Sequence, residues 1–104
     1  MSTDHKRIDF AGLNYAALAN ADLILQRWLP GGRYEGAEYV VKNPKRADRK
    51  AGSFKINVDT GRWGDFATGD RGGDMVSLAA YLAGLSQVEA ARELAAMLGM
   101  AADG

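Results

Sequence analysis

The chain has no cysteine, one histidine and two prolines in 104 residues. Lack of cysteine excludes disulfides and thiolate metal sites, and it fits a cytoplasmic protein. The one histidine, His5, lies in a polar N-terminal stretch with no partner in view, which argues against a general base. No apolar run approaches the roughly 18 residues of a membrane span. The first ten residues also lack the apolar region of a secretory signal. Ser53, Ser77 and Ser86 have no adjacent base to activate them. With no acid–base, nucleophile or metal constellation in sight, the chain reads as non-catalytic and implies no cofactor.

Net charge is absent as well, but the balance of thirteen basic and thirteen acidic residues is uneven along the chain. Residues 33–73 hold nine basic and six acidic side chains, whereas residues 74–104 hold one and four. Such asymmetry speaks to partners more than the sum does. The densest feature is Lys42, Lys45, Arg46, Arg49, Lys50 and Lys55 against the single acid Asp48. This stretch reads either as a solvated loop or as a surface that tracks a phosphate backbone. Tyr39, Trp63 and Phe66 nearby are either core or stacking faces for single-stranded bases.

What is plentiful is patterned apolar sequence, at 47% of residues. Leu13, Ala17, Leu18, Ala21, Leu25 and Trp28 recur at spacings of three and four, which predicts one helix over 13–29, stopped by Pro30. Residues 37–42 are rich in β-formers and predict a strand. Phe54, Ile56 and Val58 alternate with Lys55 and Asn57, so 53–58 is a strand with an apolar core face. Asp59-Thr60-Gly61 suits a hairpin loop, and residues 62–66 return as a strand. Asp74 is placed to cap a helix over 75–83 that ends at Gly84. Ser86 and Glu89 form the capping box of a helix over 87–98, with Val88, Ala91, Leu94, Ala95 and Leu98 on its core stripe. The expected architecture is one α+β domain over 1–104. It has a flexible tail at 1–10, a helix at 13–29, a small antiparallel sheet of about three strands within 37–66, a helical pair at 74–98 and a tail at 99–104.

Two chemical readings of residues 65–74 fail on spacing. Asp65, Asp70 and Asp74 lack the pattern and terminal Glu of a calcium loop. Gly69 to Asp74 is glycine-rich but has no Lys after its last glycine, and Asp74 would repel phosphate there. Turn and cap chemistry accounts for both.

Residues 43–85 resemble the N-terminal zinc ribbon of bacterial and phage DNA primases and primase-helicases. The Ser53-Phe54 strand, the Asp59–Trp63 hairpin, the Asp65-Phe66-Ala67-Thr68-Gly69 turn and Gly72-Gly73-Asp74 at a helix entry match that pattern, as does the closing helix from Ser86. The four metal-ligand positions hold Asn43, Arg46, Asp65 and Thr68. None is a soft ligand of the kind zinc takes, so no structural zinc is expected. The N-terminal helix is expected to compensate by burying apolar surface against the sheet. The resemblance implies a non-catalytic module that binds single-stranded DNA weakly in replication of a phage, plasmid or mobile element. A primase or helicase catalytic domain, in cis or in trans, is the implied protein partner, and no membrane is involved. Lys42, Lys45, Arg46, Arg49, Lys50, Lys55, Arg62, Trp63 and Arg71 are the candidate contacts. The alternative is a protein-interaction module that keeps the scaffold without the DNA contact.

Overall fold

A computed structural model of the chain describes residues 8–45 and 53–101. Its α+β architecture is a five-stranded antiparallel sheet with four helices. Asp9 accepts a bond from Gly12 N and caps α1, Phe10–Ala19. The expected helix over 13–29 is thus two helices, since α2 spans only Ala21–Trp28. The break is Asn20, whose Nδ2 donates to the Ala16 carbonyl at 2.9 Å while its backbone leaves the helical region. A short amide that bonds the local backbone competes with helix continuation. Of the expected flexible tail, residues 1–7 lie outside the described residues; Ile8 packs on the core and Phe10 is already helical.

The sheet is a meander in chain order: β1 Arg33–Glu35, β2 Glu38–Val41, β3 Phe54–Asn57, β4 Trp63–Asp65 and β5 Arg71–Gly72. Two of these strands exceed the sequence expectation. β1 carries three exposed residues and so no apolar alternation, and β5 is two residues long inside a turn-rich segment. Register fixes the faces. Tyr39, Ile56 and Trp63 lie in one cross-strand row on the inner face. Arg33, Val40, Lys55, Gly64 and Arg71 form the adjacent row on the outer face.

The inner face packs on α3, Met75–Ala83, through Phe54 and Trp63 against Tyr81 and Ser77, and α4, Gln87–Leu98, packs on α3; both helices are opened by reciprocal capping boxes and end on a glycine. Phe54, Ile56, Trp63, Met75, Leu78 and Leu94 belong to one buried cluster. α1 packs on α3 and α4 rather than chiefly on the sheet, and Asn14 Oδ1 accepts from Val76 N in the first turn of α3 at 2.9 Å. α1 thus braces the helical layer, while α2 meets the sheet: Tyr34 bonds Asp22, and Tyr39 bonds the Leu29 carbonyl just past the helix end. On α4 the expected stripe is rotated: Val88 is exposed and Ala90 is buried in its place. Alanines at 90, 91 and 95 let α4 approach its neighbours closely. No helix among the described residues is long and apolar enough to cross a membrane.

Candidate nucleic-acid interface

Two of the four positions compared with metal ligands, Asn43 and Asp65, form a hydrogen-bonded clasp with Tyr81. Asn43 and Asp65 are both buried, and Asn43 Nδ2 donates to Asp65 Oδ2 at 2.9 Å and to the Tyr81 hydroxyl at 2.8 Å. Asn43 Oδ1 accepts from Lys45 N, and Asp65 Oδ1 accepts from Ala67 N. Tyr81 in turn donates to Asp70 Oδ2 at 2.8 Å. Thr68 is exposed, and its Oγ1 accepts from Asp70 N. Arg46 lies outside the described residues. Among the described residues, no three His, Cys or acidic side chains converge to hold a metal ion. Burial pushes Tyr81 above the usual tyrosine range; its bond to Asp70 adds to this, and Asn43 opposes it.

The clasp sets the turn that follows β4. Gly69 N donates to the Asp65 carbonyl at 2.8 Å, and Asp65 N donates to the Asp70 carbonyl at 2.8 Å. Phe66 N donates to the Ser53 carbonyl at 2.9 Å, which ties its backbone beside β3. Strand alternation then turns the Phe66 side chain to the outer face, where it is 78% exposed. Phe66 thus presents a large apolar ring to solvent beside the Lys55 ammonium.

Around that ring the outer face gathers cations. Along β4 and its two ends, Arg62, Gly64 and Phe66 share the face, and Lys55 and Arg71 flank Gly64 on the neighbouring strands. Lys55 Nζ lies 5.7 Å from the centre of the Phe66 ring and 4.0 Å from Glu35 Oε1. Among the described residues, Arg62 and Arg71 have no acidic partner within ion-pair distance. These residues line an open groove of about 610 Å³. Glu38 stands at one end of it, held by Asn57 Nδ2 at 2.8 Å.

The candidate contacts therefore divide. Lys55, Arg62 and Arg71 converge on the groove. Lys42 is exposed beside Trp28 and Pro44 on another surface, and Lys45 lies over the Tyr81 ring at 5.2 Å. Arg46, Arg49 and Lys50 lie outside the described residues. Trp63 must be withdrawn as a stacking residue. It is 7% exposed, its indole N–H donates to Ser77 Oγ at 2.9 Å, and its ring packs on Tyr81 with centroids 4.7 Å apart. Gly72 makes room for it: a Cβ there would lie 2.5 Å from Trp63 Nε1. Tyr39 is likewise buried, its hydroxyl donating to the Leu29 carbonyl. Phe66 is the ring left exposed in this region, and Gly64 went unnoticed in the sequence. The signal for both was the period of two running on from Trp63.

No protein-family model matches the chain, and no curated protein matches it significantly.

Proposed function

We propose that the chain is a non-catalytic module that binds single-stranded DNA on the outer face of its sheet. It would be a zinc-free counterpart of the primase ribbon that its sequence resembles, acting in the cytoplasm in replication of a phage, plasmid or mobile element, beside or fused to a catalytic primase or helicase domain. One observation carries the reading: an exposed Phe66 ring in one open groove with Lys55, Arg62 and Arg71, Lys55 lying against the ring. An aromatic platform among cations is the chemistry single strands require, since every base has a π-face and every linkage a charge. Stacking on such a ring contributes about 1–3 kcal/mol per base.

Fluorescence polarisation of a labelled dT15 oligonucleotide tests it. Three neutralised phosphates give a slope of roughly −2 in log affinity against log salt. Between 50 and 200 mM salt, binding then weakens on the order of 20-fold. Phe66→Ala weakens binding further at every salt. Absence of binding at 50 mM sinks the reading. It would favour a protein-interaction module, for which the apolar groove of about 770 Å³ lined by Trp28, Leu82, Leu85 and Met97 is the supporting observation.

A further inference from the structure

Gly64 occupies the centre of the basic outer face, and the fold does not need a glycine there. Its φ is not in the left-handed region. A Cβ built on it meets Arg71 Cβ at 3.5 Å and the Asp70 carbonyl oxygen at 3.6 Å, which is ordinary contact. Gly72, one strand away, is different, because the Trp63 indole already fills the space its side chain would take. Inside a strand, glycine loses backbone entropy and offers nothing to pack. An alanine at 64 would therefore fit and would lose less backbone entropy on folding.

The missing side chain leaves a flat backbone floor. Phe66 and Arg62 stand on either side along the strand, about 7 Å away at two residues' rise. Lys55 and Arg71 stand on the flanking strands, about 5 Å to each side. By these ideal spacings, the opening above the Gly64 backbone has room for about one heterocycle. It is walled by an aromatic ring and bordered by cations placed for the phosphates on either side of a base.

We propose that Gly64 is the seat of a single unstacked nucleobase, lying on the strand backbone against Phe66. The groove accordingly takes single strands and rejects duplex, whose bases are paired and stacked away from such a floor. This rests on the reading of the outer face as a nucleic-acid interface.

The test compares the full chain with Gly64→Ala and Gly64→Val. Thermal melting reports the fold, and polarisation of labelled dT15 and of a 15-base-pair duplex reports binding, all at 50 mM salt. Expected are melting temperatures at or above wild type for both variants. Binding of dT15 should fall at least tenfold in Gly64→Val and severalfold in Gly64→Ala. Wild type should bind dT15 at least tenfold more tightly than duplex. A folded Gly64→Val that binds dT15 within twofold of wild type overturns the base seat, as does duplex bound equally well. If Gly64→Val unfolds, Gly64→Ala decides: unchanged dT15 affinity overturns the proposal and a severalfold loss supports it. Failure of wild type to bind dT15 at all overturns the interface reading itself, which is a separate outcome.

Discussion

Asn43 and Asp65, 22 positions apart, meet in a buried bond of 2.9 Å between amide nitrogen and carboxylate oxygen. Under the proposed primase-like reading, both occupy positions where that pattern has metal ligands. The bond ties the segment after β2 to the end of β4. It extends through Tyr81 to Asp70, so both ends of the turn bearing Phe66 are fastened to α3. The clasp and the proposed interface are therefore one structure seen from two faces of the sheet. Asp65 points inward to the clasp, and Phe66, its neighbour, points outward to the groove.

Asn43→Ala removes the amide that donates to both Asp65 and Tyr81. Removing one partner of a buried bond costs about 1–3 kcal/mol. In a domain of this size each kcal/mol lowers the melting temperature by roughly 4–8 °C. Calorimetry or a circular-dichroism melt checks this, and an unchanged melting temperature would mean that the clasp does not hold the turn.

Much of this fold was legible because its signals are local. Asp74, Ser86 and Glu89 cap helices through bonds spanning three residues, and both caps form. Phe54 and Ile56 alternate into the core, and Gly61 takes the left-handed conformation its hairpin needs. What escaped is non-local or too short to show a period. Asn20 breaks a helix that apolar spacing alone would continue. Arg71-Gly72 is a strand only because Trp63-Gly64 lies beside it. Tyr81 looks like one more apolar helix position until Asn43 and Asp70 reach its hydroxyl from elsewhere in the chain. The basic residues were visible as a cluster in sequence, yet Lys55, Arg62 and Arg71 come together through register, and Lys42 and Lys45 diverge.

Deleting residues 1–29 removes Leu13, Ala17, Ile24 and Leu25 from the core, together with the Asn14 bond to α3. The remainder is expected to lose its cooperative thermal transition, because α3 and α4 are left with an uncovered apolar side. A sharp, two-state melt of residues 30–104 contradicts the bracing role assigned to α1 and α2.

High pH should loosen the clasp. Burial is the main reason that Tyr81 ionises above its usual range. Tyr34 is pushed up to about 12, chiefly by burial and then by its bond to Asp22. A tyrosine whose folded pKa is raised contributes its stability in full below the unfolded value, about 10. That contribution is lost as pH rises through the folded value. Thermal melts from pH 9 to 12 should show stability falling above about pH 10. In Tyr81→Phe the protein starts less stable at pH 8 and falls less steeply, since one of the two titrations is gone. A fall as steep as in wild type removes Tyr81 from the explanation.

The most direct measurement is a titration of the ¹⁵N-labelled chain with dT15, followed by backbone amide shifts at 50 mM salt. Expected are progressive shifts at Lys55, Arg62, Gly64, Phe66 and Arg71, with Trp28, Leu82 and Met97 unmoved. Shifts confined to Trp28, Leu82 and Met97, or none at all, would contradict the proposal that the outer sheet face binds single-stranded DNA.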